Sequence, residues 1–380
     1  MKKVKILFPA GSFYPAQTGG PDNTVYWITK AIQRKGHLPI IATTDMGQPL
    51  STPRDRWLDT DYGEAIYTRN QIHYFPVKMI RRAVQRIKEV DMVHLAMIFY
   101  PGTFLLAILN SKLYRKPMLW SSHGDLDPPM LKRSQKKKAA VLAMINKLVD
   151  KHLLWFHSTC DAETAYIRDN FGADSRIIQI PNYMELPEKL ETSKERYFLY
   201  IGRIDPKKAV ENLVEALALS KDFLASDYIL KVVGDYYNDY GRMLVDLVAA
   251  KGLEHKIRFL GHREGREKQE LLAAATFTFM PSHTENFGIV VMEGLAQGTP
   301  AVASTGTPWE ILEEREAGYW VDNDPATLAA TVDRILGLGA EDLARMNQNA
   351  YRLACDEFSI DANVVAWEDA YQKIAAWNQA

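Results

Sequence analysis

The sequence predicts an α/β protein built from two Rossmann-like, doubly wound domains, and three observations carry that prediction. Short apolar runs alternate with helical patterns from Val4 to Ile180, and a second such series starts at Tyr197. Strands separated by helices imply parallel pairing through crossover connections. Between the two series lies the charged, Pro-containing stretch Met184–Arg196, which reads as an interdomain linker. At 380 residues the chain is also too long for one hydrophobic core. The expected division is 1–185 and 186–362.

In the first half the strand candidates are Val4–Phe8, Leu38–Ala42, Ile72–Phe75, Met92–Leu95, Met118–Ser122, Leu154–His157 and Ile177–Ile180. Helical patterns fill Asn23–Lys35, Thr103–Tyr114, Lys132–Lys151 and Ala162–Asn170. The second series runs Tyr197–Ile201, Ile229–Val233, Ile257–Leu260, Phe277–Met280, Pro300–Ala303 and Tyr319–Val321, with helices between.

Composition sets the class. A hydrophobic share of 47% with 24% charged residues is that of a soluble globular protein. A net charge of −1 gives no ground for a nucleic-acid partner. No run approaches the 18 or so apolar residues of a spanning helix. Met1–Pro9 is too short in its apolar part for a signal peptide and reads as a first strand. The two cysteines, Cys160 and Cys355, lack metal-site spacing and are expected as free thiols in a reducing cytoplasm.

The densest chemistry lies in Pro281–Pro300. The strand Phe277–Met280 runs into a polar loop holding Glu285, and the apolar residues of Gly288–Gln297 fit a short buried helix that holds Glu293. Ligands of open α/β sheets bind at the carboxyl ends of strands, and a helix N-terminus there offers N–H groups to an anion. Any isolated pair of glutamates is more often a solvated loop residue and a helix ion pair. In this strand-loop-helix setting, however, the Glu-x7-Glu block resembles the retaining GT-B glycosyltransferases of family four. The resemblance implies the GT-B fold and a cleft between two Rossmann-like domains. It also implies that the last helix, Val364–Trp377 within 363–380, packs back on the first domain. It gives Glu285 contact with the transferred sugar, Glu293 the ribose hydroxyls, and Asn286, Phe287 and Gly288 the sugar and donor phosphate.

Other loops extend the likeness. Gly202-Arg203-Ile204-Asp205-Pro206-Lys207-Lys208 lies between a strand and a helix, and its Gly-Arg-x4-Lys spacing matches the family's diphosphate clamp, so Arg203 and Lys208 carry that role. Ala209 departs from the pattern, where a glycine is common. Gly19 and Gly20 end a loop that leaves strand one; alone they are a tight turn, and by resemblance they lie near donor phosphates and acceptor. The spaced glycines of a nicotinamide site are absent. Gly234 resembles the family's next glycine turn, and Arg263 the loop touching the nucleotide base. Thr305–Glu310 matches a further glycine loop and is given a structural role. His123, in Ser121–Pro128, has the setting of the family histidine that contacts the transferred sugar.

Asp125 and Asp127 form an Asp-x-Asp, which in another glycosyltransferase class binds metal. In a GT-B setting no metal or other cofactor is expected, and both read as loop-ordering or acceptor contacts. The basic stretch Lys132–Lys138, with Arg81, Arg82, Arg86 and Lys88, is either a solvated face or a contact with an anionic membrane surface.

The function so implied is retaining transfer of a sugar from a nucleotide-diphosphate donor, UDP before GDP, to a hydroxyl of a glycan or lipid-linked glycan. The setting is bacterial surface polysaccharide synthesis at the cytoplasmic face of the membrane. Two rivals share the fold: an epimerase or hydrolase acting on the donor alone, and a non-catalytic sugar-nucleotide-binding subunit. The second could dispense with His123 and Glu285, which this chain retains.

Overall fold

The computed structural model describes residues 2–16, 20–70, 74–285 and 287–377, and for residues 20–22 the backbone alone. The chain forms two compact units. One runs to Glu185 and takes back the segment from Ile360; the other is Leu186–Ser359.

The first unit holds β1 (Lys5–Ala10), β2 (Leu38–Thr44), β3 (Trp57–Thr60), β4 (Gly63–Thr68), β5 (Met92–Ala96), β6 (Met118–Ser121), β7 (Leu154–Ser158) and β8 (Ile177–Gln179) in one sheet of order β3-β4-β2-β1-β5-β6-β7-β8. Its helices are α1 (Gly20–Arg34), α2 (Val77–Ile87), α3 (Pro101–Leu109), α4 (Pro128–Lys132), α5 (Gln135–Leu148) and α6 (Asp161–Phe171). Every pairing is parallel except β3 with β4, an antiparallel edge hairpin. Both faces of β1 are covered, as its unbroken apolar run requires. Leu7 packs with Met79, Ala83, Val93 and Leu95 on one side. Ile6 and Phe8 pack on the other with Trp367, Tyr371 and Ile374 of the C-terminal helix Ile360–Ala376.

Two expectations need comment here. Of the strand expected at Ile72–Phe75, Ile72 and His73 lie outside the described residues, while Tyr74 and Phe75 are not in a strand and lead through Pro76 into α2. Neither that helix nor the β3–β4 hairpin is among the elements expected from the sequence. The span Lys132–Lys151 is two helices, broken where Ser134 adopts φ 59°.

The second unit is a six-stranded, all-parallel sheet. Its strands are β9 (Tyr197–Ile201), β10 (Ile229–Val233), β11 (Ile257–Gly261), β12 (Phe277–Met280), β13 (Ala301–Ser304) and β14 (Gly318–Val321), ordered β11-β10-β9-β12-β13-β14. Its helices are α7 (Val210–Leu219), α8 (Lys221–Ala225), α9 (Asp239–Ala250), α10 (Gly265–Ala274), α11 (Ile289–Ala296), α12 (Ile311–Glu314), α13 (Pro325–Leu336) and α14 (Ala340–Glu357). All six expected strands are present within a residue. Most of the linker lies against this unit, with Leu190 N–H donating to Gln297 Oε1 at 2.9 Å.

Each sheet grows outward in two directions from its first strand. The order reverses between β1 and β5 in the first unit and between β9 and β12 in the second. At such a switch point the flanking loops part and leave a crevice outside the carboxyl ends of the strands.

Candidate active site

In the second unit the loops after β9 and β12 meet at the switch point. Asp205 accepts a hydrogen bond from Lys207 N at 3.0 Å and opens a 3-10 turn, Pro206–Lys208. Ala209 follows at φ 48°, and α7 begins. This turn presents Lys208, whose Nζ lies 2.5 Å from Glu285 Oε1; the two side chains are 15% and 13% exposed. The Glu285 loop is held from both sides, since His283 N donates to Lys207 O at 2.9 Å and Glu285 N to Gly306 O at 3.1 Å. Phe287 is buried against Trp309 and Phe358 at ring distances of 4.8 and 5.6 Å, and the Trp309 indole N–H donates to its carbonyl. Gly288 then turns the chain into α11 at φ 86°, where a Cβ would overlap the Met280 sulfur. Asn286 lies outside the described residues.

Glu293, on α11, is paired as well. Lys268 of α10 places its Nζ 2.7 and 2.6 Å from the two carboxylate oxygens. The structure thus sets two lysine–glutamate pairs on the loop and helix that follow β12. Lys268 had no sequence signal of its own, because Arg266-Glu267-Lys268-Gln269-Glu270 reads as a solvated helix face and its partner is 25 residues away.

The remaining predicted residues of this unit are placed differently. Arg203 does not join Lys208: its side chain is 80% exposed and lies 3.4 Å from Asp205. Gly234 packs its backbone on the β9 loop, where a Cβ would overlap the Gly202 carbonyl oxygen. Arg263 folds onto its own element, 2.6 Å from Glu267 and 2.8 Å from the His262 carbonyl.

In the first unit His123 follows β6 in a left-handed conformation, φ 48°. Its neighbours on either side are held by one carboxylate that the sequence did not single out. Glu163, 1% exposed, accepts from Ser122 Oγ at 2.6 Å and Gly124 N at 2.8 Å. It also accepts from Thr159 N at 2.7 Å and Thr159 Oγ1 at 2.9 Å. Burial would raise this carboxyl; the hydrogen bonds from Ser122 and Gly124 outweigh it and hold Glu163 below the usual range. For His123, burial and the nearby His157 ring lower the imidazole to about 4, against the pull of Glu163. Its buried Nε2 has no hydrogen-bond partner among the described residues. The ring is therefore neutral at pH 7.

Beneath it runs a buried chain of hydrogen bonds. Tyr371 O–H meets His94 Nδ1 at 2.8 Å, and His94 Nε2 meets Ser121 Oγ at 2.7 Å. Ser121 meets His157 Nδ1 at 2.9 Å, and His157 Nε2 meets the Ile180 carbonyl at 2.9 Å. One directed pattern satisfies all of them with both rings neutral.

Asp125 accepts from Ile98 N and Phe99 N at 2.6 and 3.3 Å, ordering the loop after β5. Asp127 stands at the start of α4. No cluster of three or more His, Cys, Asp or Glu side chains among the described residues is arranged to hold a metal ion. Gly20 is the first residue of α1, and Gly19 lies outside the described residues. In the second basic segment Arg86 is held internally, forking both oxygens of Glu64 at 2.6 and 2.7 Å, while Arg81 and Lys88 are exposed.

Comparison with known proteins places this geometry in a family. Residues 184–353 match the model of glycosyl transferases group 1, and residues 18–186 that of glycosyltransferase family 4. The chain belongs to the family-four, group 1 glycosyltransferases. Among relatives of the chain, an uncharacterized glycosyltransferase of Methanocaldococcus jannaschii is 35% identical over 144 residues, 37% of this chain and 36% of that one. A D-inositol 3-phosphate glycosyltransferase of Salinispora arenicola is 33% identical over 188 residues, 47% of this chain and 41% of that one. The matches thus span well under half of these relatives' own lengths. Among solved structures, Anabaena Alr3699/HepE in complex with UDP and glucose superposes with a TM-score of 0.76 at 20% identity, over 97% of this chain and 100% of that one. The chain therefore shares the GT-B fold.

Proposed function

We propose that the chain is a retaining glycosyltransferase that moves a sugar from a nucleotide-diphosphate donor to a hydroxyl of a glycan or lipid-linked glycan. The observation that carries this reading is the Lys208–Glu285 pair at the switch point of the second sheet, with Glu293 paired to Lys268 on the helix that follows. Two cations and two carboxylates at the carboxyl ends of the strands suit a ligand that is anionic at its diphosphate and rich in hydroxyls elsewhere. Lys208 neutralises charge on the departing diphosphate, the exposed Arg203 folds in to share it, and the N-terminus of α11 adds backbone donors. Glu285 and neutral His123 position the sugar, and Glu293 accepts from the ribose hydroxyls. The acceptor oxygen bonds to the anomeric carbon on the face from which the diphosphate leaves, and a phosphate oxygen takes the hydroxyl proton. No metal or cofactor takes part.

UDP is the preferred base; the Anabaena neighbour with UDP bound supports that choice. Lys132, Arg133, Lys136 and Lys137 are exposed and support a peripheral contact with an anionic membrane in surface polysaccharide synthesis. No helix among the described residues is long and apolar enough to cross a membrane.

The test is thermal stabilisation by UDP, GDP, ADP and their sugar conjugates, with and without EDTA. UDP at a hundred times its Kd is expected to add about 2.7 kcal/mol, insensitive to EDTA. A shift that needs divalent metal would return Asp125 and Asp127 to the site. The absence of any shift would remove the donor assignment.

A further inference from the structure

The first unit has its own crevice at a switch point, and its lining is chemically one-sided. Outside the carboxyl ends of β1 and β5 lies a cavity of about 250 Å³, bounded in part by Gly11, Met46, Met97, Phe99 and Tyr100. Pockets for drug-sized ligands run to about 300–1,000 Å³, so this one suits a single ring. Asp125 is the one charged side chain among its described lining residues, and its carboxylate is occupied by Ile98 N and Phe99 N. Asp125 also ties the cavity to the loop that carries His123, two residues before it.

The aromatic wall is fixed before any ligand arrives. Tyr100 stands between two glycines, with its ring 3.0 Å from where a Cβ of Gly11 would lie and 2.6 Å from that of Gly102. Alanine at either position would press on the ring. Burial also raises the Tyr100 hydroxyl to about 12, so it stays protonated and able to donate. A flat, immobile aromatic face with one hydroxyl binds a ring that shows it an apolar face and one acceptor atom. Among the described lining residues a phosphate monoester would find no cation; Lys138 Nζ lies 4.7 Å from the Phe99 ring centre but already donates to the Met130 carbonyl, and a buried unpaired anion is costly.

We infer that this cavity takes the acceptor, and that the acceptor is an uncharged glycoside with an apolar face, such as an aryl-bearing sugar, and not a phosphorylated polyol. The inference rests on the proposed reading of the first unit as the acceptor-binding half. It separates this chain from relatives whose name holds D-inositol 3-phosphate.

The experiment is calorimetric titration of the full chain, without donor, with 4-nitrophenyl β-glucoside and with myo-inositol 1-phosphate, and separately with UDP. The aryl glucoside is expected to bind at least tenfold tighter than the phosphate ester. Tyr100→Ala is expected to weaken it tenfold or more while the UDP affinity stays the same. Should Tyr100→Ala fail to fold, Met46→Lys serves: a cation at the rim is expected to weaken the glucoside and favour the phosphate ester. Tighter binding of the phosphate ester by the wild type, or glucoside affinity unchanged in both variants, would overturn the inference. UDP binding with no glucoside binding also overturns it and leaves the donor reading intact. Glucoside binding without UDP binding removes the donor reading alone.

Discussion

Lys208 and Ala209 are adjacent, and their environments make opposite predictions. Lys208 is the cation paired with Glu285, and on the proposed function Lys208→Ala is expected to lower kcat/KM by roughly 10²–10³, the scale seen when one preorganised charge-stabilising donor is removed. A folded variant with near-wild-type kcat/KM would take Lys208 out of the mechanism. Ala209 holds φ 48° at a position fully buried from solvent. A left-handed conformation costs an L-residue about 1–2 kcal/mol, which explains why glycine is common here and why the turn survives with alanine. Ala209→Gly is expected to raise stability by about 1 kcal/mol in urea denaturation with kcat unchanged; destabilisation would show that the methyl packs better than the backbone strains. Sequence made both positions legible because the Gly-Arg-x4-Lys spacing is local. It did not make Glu163 or Lys268 legible. Each acts on a residue 25 to 41 positions away, across a fold that brings helix and loop together.

At the scale of elements, the parallel strands that alternate with helices are readable and the antiparallel edge hairpin β3–β4 is not. β1, β5–β7, β9, β12 and β13 are short apolar runs buried almost throughout, a pattern that survives without context. β3 and β4 form an edge hairpin in which Asp59, Thr60 and Glu64 interrupt the apolar residues. In α2 the buried Met79, Ala83 and Ile87 recur every fourth residue, but Lys78, Arg81, Arg82 and Arg86 between them read as a charge run. The hydrogen-bonded rings on β5 and β7 make a prediction at this scale. Burial leads the causes that depress His94 and His157, and both are neutral in the fold. The unfolded chain takes up protons below about pH 6.5 while these rings do not. Stability is therefore complete above pH 6.5 and falls as the pH drops toward the folded values. The urea midpoint is expected to be lower at pH 5 than at pH 7, with much of the difference abolished in His94→Gln/His157→Gln. A midpoint flat from pH 7 to 5 would mean the rings protonate freely in the fold.

For the whole molecule, the chain is not two beads in series. The first unit is closed by the C-terminal helix, which buries Trp367, Tyr371 and Ile374 against β1 and joins Tyr371 to His94. Deleting residues 360–380 uncovers that face of the sheet, at about 1.5–3 kcal/mol for each large apolar side chain left in water. The truncated chain is expected to lose the cooperative unfolding of the first unit in calorimetry while UDP still stabilises the second. Loss of both transitions would mean the second unit does not stand on its own.

That closure also imposes an order in time. A chain made from its N-terminus finishes the contiguous segment Leu186–Ser359 before it has made the helix that completes the earlier half. The unit begun first is therefore the last that can close, and Ile360 N–H meets Met184 O at 2.9 Å only after Leu186–Ser359 has been made. During translation the first unit waits with that face of its sheet uncovered, while the second folds behind it.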